Sequence, residues 1–555
     1  MSAATIIHRS DPAPLDARAD HAMVSMRDGV RLATDVYLPA RTPAPVVLVR
    51  LPYDKCGRYT FMPALAPRLL DRGYGFVVQD VRGKFRSEGE TLPYVHEVAD
   101  GYDTLEWIVS RPWSNGDVGM FGDSYYGWTQ WAAVASGHPA LRAIVPRVSG
   151  TQLASVRLAT RWDRGVVPLY GAQYFAECWT DRSMYELEID WSIRPLASVF
   201  DEAFREIGRR SAAFDHVVDQ RHEVMPFPFG HPFGHREVPA LHSVGWFDNI
   251  APYSMDDYMT LQSRGRTLQY LIAESTDHEN YPLAQVPVQP EDDHDANDAA
   301  LERMLPRYIG PALDFFDAFL RPGSSAGIPR VRWHMGHGGG HESGAWPPPA
   351  ARPRRLYLDA AGRATADADG GRLVDAPPTA SSRCAWTHDP ERLVPSTVRN
   401  PFAFLHEWPD ERSVQERGDV VTFTTEPLVG GLELAGPVEA RVVLGSTAAP
   451  AHLHAKLCDV TPDGSARMIV RGDVYIADAR TARPVSLYMS HTAYRVAPGH
   501  RLRLHLASSD FPLCLPLLGD GDPWQCVTGT AVGRTIAAGG GHPSFVSVHV
   551  LDQRA

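Results

Sequence analysis

A serine at the end of an apolar run is the residue in this sequence best placed to do chemistry. Ser124 lies in Gly122-Asp123-Ser124-Tyr125-Tyr126-Gly127, which follows Val118-Gly119-Met120-Phe121 and precedes a run rich in tryptophan and alanine. The pattern predicts a strand, a sharp turn and a helix. A serine at such a turn is held in a strained backbone geometry that presents its Oγ for nucleophilic attack on an acyl carbon. The alternative is an ordinary surface turn between a strand and a helix.

A nucleophilic serine needs a base to accept its proton, a carboxylate to orient that base, and donors for the oxyanion. Asp248 follows the run that ends in Gly245-Trp246-Phe247, and His278 follows Leu271-Ile272-Ala273. The chain order Ser124, Asp248, His278 is that of a serine triad whose members follow successive strands. The backbone N–H of Tyr125, next to the serine, is then one predicted oxyanion donor. The alternative roles are a helix N-cap for Asp248 and a loop histidine for His278.

The elements around these residues predict a mainly parallel sheet with crossover helices, because buried strand patterns alternate with helical ones. We therefore expect an α/β-hydrolase domain in two parts, residues 21–150 and 238–350. The predicted elements include strands at 45–50, 75–80, 141–148, 268–273 and 331–335, a helix at 98–110 and a closing helix at 314–320.

Two segments depart from this alternation. Residues 151–237 contain aromatic-rich helical patterns broken by prolines, which predicts a helical cap over the strand ends. Individual aromatic residues there are more often core than pocket. Residues 1–20 lack an apolar period and end in a stretch rich in Pro, Ala, Asp and Arg, which predicts a disordered tail.

The last third of the chain has a different period. From residue 351 to 555 short alternating strands are separated by turns such as Pro462-Asp463-Gly464. This pattern predicts an all-β sandwich or jelly roll.

The charge and hydrophobicity of the sequence exclude some classes of binding partner. The net charge of −12 over 555 residues offers no basic patch for nucleic acid, and no apolar run is long enough to span a bilayer. We expect a small-molecule substrate and neither nucleic acid nor membrane as a partner, while a homo-oligomer stays open. The first residues contain no apolar signal segment, so a cytoplasmic location is predicted.

Three closely spaced histidines are candidate metal ligands. His334, His337 and His341 stand in a glycine-rich run that contains no Cys, Asp or Glu among the three. Metal ligands usually lie on rigid elements with supporting hydrogen bonds. The sequence therefore predicts no metal here and no cofactor elsewhere.

Several motifs together resemble one family. Gly101-Tyr102-Asp103, Pro112-Trp113-Ser114-Asn115-Gly116 and the serine motif are similar to those of the CocE/NonD hydrolases, which include cocaine esterase, α-amino-acid ester hydrolases and Xaa-Pro dipeptidyl peptidases. The resemblance implies a C-terminal jelly roll packed on the hydrolase domain. It also implies that Tyr53, in Pro52-Tyr53-Asp54-Lys55, donates its hydroxyl to the oxyanion. The sequence departs from the family where the usual G-P-W-x-H is Glu274-Ser275-Thr276-Asp277-His278.

The expected reaction is hydrolysis of a carboxylic ester through an acyl-enzyme on Ser124. Family members that prefer α-amino acyl groups carry carboxylates just after the catalytic aspartate, whereas Asp248 is followed by Asn249-Ile250-Ala251. A bulky apolar or aromatic acyl group is therefore favoured. An amidase, peptidase or acyltransferase using the same acyl-enzyme is the alternative, and a catalytically silent binding protein is a further one.

Overall fold

The computed structural model describes residues 3–219, 225–321, 327–360, 364, 370–519, 521–541 and 544–551. It consists of an α/β part that carries a ten-stranded sheet and an all-β part that carries an eleven-stranded sheet. Small portions of the predicted tail, cap and all-β domain lie outside the described residues.

The α/β part contains twelve of the described strands. They are β1 (Ala4–Ser10), β2 (Asp20–Ser25), β3 (Arg31–Tyr37), β4 (Ala44–Leu51), β5 (Gly75–Asp80), β6 (Ser114–Asp123), β7 (Leu141–Arg147), β8 (Met184–Ile189), β9 (Ala240–Gly245), β10 (Gln269–Glu274), β11 (Val331–His334) and β12 (Gly340–Ser343). The main sheet has the order β12-β11-β10-β9-β7-β6-β4-β5-β3-β2. The run from β5 through β4 to β11 is parallel. Parallel strands bring their carboxyl ends to one edge, where ligands bind in open α/β sheets.

The helices connect and cover these strands. They are α1 (Met62–Asp71), α2 (Glu97–Val109), α3 (Ser124–Ser136), α4 (Leu153–Ala159), α5 (Leu169–Cys178), α6 (Asp201–Ile207), α7 (Ala212–Asp219), α8 (Ala251–Ser263) and α9 (Asp298–Leu320). The predicted closing helix at 314–320 is only the last part of α9. Two internal prolines, Pro306 and Pro311, hide the length of this helix in the sequence, and Asn297 caps it by accepting from the N–H groups of Ala299 and Ala300.

The N-terminal segment corrects one prediction. Residues 1–20 were expected to be a disordered tail, but β1 pairs antiparallel with β8, and the N–H of Ala13 donates to Oδ2 of Asp54 over 2.7 Å. The partner strand lies more than 170 residues away along the chain. The local composition of residues 1–20 therefore gives no sign of this pairing.

The region between β7 and β9, which was predicted to be a helical cap, contains α4, α5, α6 and α7 together with the strand β8. Lys84 joins this region to the α/β sheet, because its buried ammonium donates to the carbonyls of Cys178, Asp181 and Ser183 at 2.5, 3.0 and 2.8 Å. Burial lowers the pKa of Lys84 to about 8. Three carbonyls around one ammonium satisfy all of its donors, which fixes the turn after α5.

Within its described residues, the C-terminal part is all-β apart from two short α-helices, α10 (Phe404–Glu407) and α11 (Arg412–Gln415), and a single 3-10 turn at Pro390–Arg392. Its described strands are β13 (Ala351–Asp359), β14 (Gly371–Val374), β15 (Ser382–His388), β16 (Val421–Thr424), β17 (Leu432–Ser446), β18 (Ala451–Val460), β19 (Ala466–Ile476), β20 (Arg483–Val496), β21 (Arg501–Ala507), β22 (Val532–Ala538) and β23 (Phe545–Leu551). This is the predicted all-β domain. The exact domain boundaries and the finer jelly-roll assignment stay predictions.

The two parts share a hydrophobic core. Trp246, just after β9, stacks on Trp346 with ring centroids 4.9 Å apart, and both belong to one buried cluster with residues of β13 and β17. Apolar burial of this kind stabilises one arrangement of the two parts. Among the described residues, no helix has the length and apolarity needed to cross a lipid bilayer.

Candidate active site

Ser124 is the first residue of α3, directly after β6. Its φ of 52° lies in the left-handed region, which a non-glycine residue adopts only at a cost. The two glycines of the motif are explained by close packing: a Cβ on Gly122 would lie 2.1 Å from Cδ2 of Tyr126, and one on Gly127 would lie 2.5 Å from Cβ of Ser149. Gly127 therefore lies where α3 packs closely against the segment after β7.

The side chain of Tyr125 holds the turn that carries Ser124 in place. Its side chain is fully buried, its hydroxyl donates to Oε1 of Glu97 over 2.9 Å, and that hydroxyl accepts from the N–H of Tyr94 at 2.9 Å. Burial raises the pKa of this phenol, so it stays protonated. The hydrogen bonds hold the start of α3, and with it the backbone N–H next to Ser124, against α2.

Asp248 and His278 lie together. Nδ1 of His278 is 2.8 Å from Oδ1 of Asp248, and both residues are buried. The same oxygen of Asp248 accepts from the N–H of Ile250 at 2.9 Å. Asp248 follows β9 and His278 follows β10, so neighbouring parallel strands position them, and a Cβ on Gly245 would lie 2.5 Å from the carbonyl of Thr276. The close approach of the two loops brings the carboxylate and the imidazole together.

The unusual sequence before His278 has a structural role. Asp277 is buried, and its two carboxylate oxygens accept from the N–H groups of Tyr281 and Leu405, each at 3.0 Å. Burial raises the pKa of this carboxyl. Because Leu405 belongs to α10, Asp277 ties the histidine loop to the all-β part.

Arg147, which sequence reasoning did not single out, connects the loops. Its Nε lies 2.9 Å from Oδ1 of Asp123, its Nη2 donates to Oδ1 of Asn280 at 2.7 Å, and its Nη1 donates to Oγ of Ser243 at 3.1 Å. The rigid planar guanidinium thus spans β6, β9 and the loop after β10. No local motif marks Arg147, since its partners lie in three distant segments.

Tyr53 lies in the loop after β4 and is buried. Its hydroxyl oxygen is 3.0 Å from that of Tyr174 on α5, and its ring packs edge-on against Tyr126 with centroids 6.1 Å apart. The rest of its motif is structural: Asp54 has a φ of 65°, and Nζ of Lys55 is 2.7 Å from Oδ1 of Asp35.

An aromatic residue from the all-β part also reaches this region. The ring of Phe402 lies with its centroid 5.1 Å from that of His278, and Tyr170 of the cap packs edge-on against Phe402 at 5.8 Å. Sequence analysis missed Phe402 because it is 124 positions from His278 and carries no catalytic motif.

A carboxyl group lies beside the histidine. Glu279 is half-buried, and its Oε1 accepts from the hydroxyl of Tyr59 at 2.9 Å, while Tyr59 packs edge-on against Tyr53 at 5.6 Å. Burial raises the pKa of Glu279 to about 7. Near neutral pH the protein is therefore a mixture of molecules in which Glu279 is neutral and molecules in which it is charged.

The histidine tract runs from the last residue of β11, His334, into β12. The ring of His341 stacks on Trp333 with centroids 4.3 Å apart, and His337 packs edge-on against Tyr494 at 5.1 Å. The backbone carbonyl of His334 accepts from Nε1 of Trp246 at 2.9 Å. These contacts are those of a packed hairpin.

Two family models match the chain. Residues 28–280 match the X-Pro dipeptidyl-peptidase (S15 family) model, and residues 326–547 match that of the X-Pro dipeptidyl-peptidase C-terminal non-catalytic domain. The first match lies within the α/β part, and the second covers most of the all-β part together with β11 and β12.

Relatives and solved structures agree with these models. The chain is 30% identical to a cocaine esterase from Rhodococcus sp. (strain MB1 Bresler) over 89% of this chain and 91% of that protein. Its fold is similar to that of an α-amino acid ester hydrolase, with a TM-score of 0.79, 23% identity, and coverage of 97% of this chain and 98% of the other. A CocE/NonD family hydrolase from Staphylococcus aureus has a TM-score of 0.64 at 16% identity, with coverage of 100% and 97%. This chain belongs to the CocE/NonD family of serine hydrolases.

Proposed function

We propose that Ser124, His278 and Asp248 carry out acyl transfer to water. The observation that carries this proposal is the 2.8 Å contact between His278 and Asp248 at the sheet edge where Ser124 holds its strained turn. His278 takes the proton of Ser124 as its Oγ attacks the ester carbonyl, and gives that proton to the departing alcohol. Water then attacks the acyl-enzyme with the same histidine as base. Asp248 orients the imidazole and stabilises its charged form.

Two donors would stabilise the oxyanion. The backbone N–H of Tyr125 is one, and its position is supported by the buried bond from the Tyr125 hydroxyl to Glu97. The hydroxyl of Tyr53 is the other. Its location beside Tyr126 places it next to the turn that carries Ser124, and a phenol in a buried site costs little reorganisation when charge develops.

We further propose that the substrate is a small ester with a bulky apolar or aromatic acyl group. Phe402 against His278, with Tyr170 beside it, supports this acyl class, because aromatic rings favour flat apolar partners. The cytoplasmic location predicted from the sequence is part of this proposal.

A second candidate is an ester or amide with an α-amino acyl group, and Glu279 is the observation that favours it. A cationic ammonium near Glu279 would stabilise the charged carboxylate and lower its pKa from about 7. The amidase, peptidase and acyltransferase alternatives use the same acyl-enzyme on Ser124.

A matched series of substrates distinguishes the apolar or aromatic acyl class from the α-amino acyl class. Phenylacetyl and phenylglycyl esters of one alcohol differ only by the amino group, and the corresponding amides test the leaving group. The proposal expects kcat/KM to be higher for the phenylacetyl ester and unchanged in Glu279→Gln. A preference for the phenylglycyl ester that Glu279→Gln abolishes would instead establish the second candidate. Adding an alcohol or amine acceptor to each assay detects acyl transfer as a transesterified or amidated product.

A further inference from the structure

A cavity of about 280 Å³ lies where the hydrolase domain, the cap and the all-β domain meet. The loop after β9 contributes Asp248 to its wall, the cap contributes Pro168 and Tyr170, and the strands β18 and β19 contribute further lining residues. Neither Ser124 nor His278 belongs to the described lining. Asp248 is thus the one member of the proposed triad in this lining, and the residues considered next lie on β18, on β19 and in the segment after β21.

Three side chains of that wall converge. His454 on β18 is directly opposite Asp473 on the antiparallel neighbour β19, and Cys514 lies in the segment after β21. Directly opposed residues of a sheet place their side chains on one face. One donor atom from each of the three residues lies within 4.8 Å of the other two.

The imidazole of His454 has a buried nitrogen that could bind a ligand. His454 is only 5% exposed, and its Nε2 has no hydrogen-bond partner among the described residues. A buried polar atom without a partner costs free energy, and such atoms in a native protein usually meet water, an ion or a ligand. Cys514 is a free thiol that also borders the cavity.

We propose that His454, Asp473 and Cys514 bind a zinc ion. Imidazole, carboxylate and thiolate are all zinc ligands, whereas magnesium and calcium take oxygen ligands and do not select a thiolate. Bond lengths of about 2.0–2.3 Å place tetrahedral ligand atoms roughly 3.3–3.8 Å apart, so on binding the cluster contracts by at most about 1.5 Å. On binding, the Cys514 thiol loses its proton to solvent and its sulfur bonds to the metal. One thiolate and one carboxylate then balance the charge of the ion, and the fourth position opens to the cavity.

The site would fix the junction between the all-β domain and the cap. Cys514 lies between two residues that pair with the segment before α5: the N–H of Leu169 donates to the carbonyl of Leu513, and the N–H of Leu515 donates to that of Val167, both at 2.9 Å. An ion that joins Cys514 to β18 and β19 holds this segment in place. The role is structural, and it is independent of the proposed acyl transfer.

Cobalt(II) is a suitable probe because thiolate ligation gives an intense charge-transfer absorption. The full chain, first dialysed against a chelator, should take up one cobalt ion with that band, and zinc should displace it and raise Tm in a concentration-dependent way. Cys514→Ser should lose the band, whereas the matched control Cys526→Ser, at another half-buried free thiol, should keep it.

Asp473→Asn supplies a second variant if Cys514→Ser does not fold, because Asp473 is the most exposed of the three residues. Its zinc affinity, measured by competition with a chromophoric chelator, should fall by roughly tenfold or more. A failure of the dialysed protein to bind cobalt or zinc would overturn the proposal. So would a charge-transfer band that survives in Cys514→Ser, or a zinc affinity unchanged in Asp473→Asn.

Discussion

The hydroxyl oxygens of Tyr53 and Tyr174 lie 3.0 Å apart, so a residue at the end of a sheet strand and a residue on a cap helix share one hydrogen bond. The cap therefore holds the phenol that we propose as an oxyanion donor. Its geometry depends on the cap as well as on the strand end that carries the Tyr53 motif.

Tyr53→Phe should lower kcat by about 10²–10³ with a smaller change in KM, because it removes a donor whose bond strengthens as the carbonyl oxygen gains charge. The ring and its packing remain, so Tm should change little. Tyr174→Phe is the matched control, since it breaks the same tyrosine pair without removing the proposed donor. Equal losses of kcat in the two variants, or a loss of Tm with near-normal turnover in Tyr53→Phe, would contradict the oxyanion role.

Ser124 should be the residue that becomes acylated. A fluorophosphonate should add once to the intact protein, and the adduct should be absent from Ser124→Ala as measured by intact mass. Labelling that persists in Ser124→Ala would place the nucleophile elsewhere.

His278→Ala should cost nearly as much as loss of the serine, by a factor on the order of 10⁴ in kcat, because the members of a triad act as a unit. His231 is an exposed cap histidine and provides a matched control. His231→Ala should turn over at close to the parent rate. A loss of roughly tenfold or less in His278→Ala would assign the base to another histidine.

Lys456 should be important for stability. Its buried Nζ lies 3.0 Å from Oε2 of Glu411 and 3.2 Å from Oδ1 of Asp510, so Lys456→Met leaves Glu411 without this cation and Asp510 with only Arg471, at 3.9 Å. The free energy of unfolding should fall by about 3–5 kcal/mol in urea titrations at neutral pH. Arg354→Met, which breaks the exposed pair with Asp375, should cost about 1 kcal/mol or less. Equal losses in the two variants would contradict this expectation.

The same lysine predicts a pH dependence. Burial alone would raise the pKa of Asp510, but Lys456, Arg471 and His454 together outweigh it and bring that pKa to about 2, with Lys456 contributing the largest share of the lowering. A carboxyl whose pKa is lower in the folded state stabilises the protein above its unfolded pKa of about 4, and this contribution is lost as the pH falls toward 2. The stability difference between the parent and Lys456→Met should therefore shrink across that range. Urea midpoints measured at several acidic pH values test it, and a constant difference would contradict it.

Removal of metal by a chelator should affect the stability of the protein but not its ester hydrolysis. Prolonged dialysis against a chelator should leave kcat for ester hydrolysis unchanged, because the proposed acyl transfer uses side chains and backbone donors alone. Tm should fall if the proposed zinc site is emptied. A loss of kcat that zinc restores would contradict metal-independent hydrolysis, and the same assay on Cys514→Ser would then distinguish the proposed zinc site from the tract of His334, His337 and His341.

The sequence by itself determined much of the α/β part and the identity of the candidate reacting residues. A strand, a turn and a helix around Ser124 are local features, and so are the apolar runs that precede Asp248 and His278. Their order along the chain follows from the parallel sheet, which brings successive strand ends to one edge. The structure adds the distance between Asp248 and His278, while their catalytic roles stay predictions that the variants above test.

Tertiary structure alone decided which distant residues support those groups. β1 pairs with β8, Arg147 bridges three loops, and Phe402 of the all-β part packs on His278. None of these contacts has a local signal, because each joins segments separated by many residues and depends on how sheets, cap and all-β domain pack. The convergence of His454, Asp473 and Cys514 has the same origin: strand register aligns the first two, and the packing of the following segment brings the third.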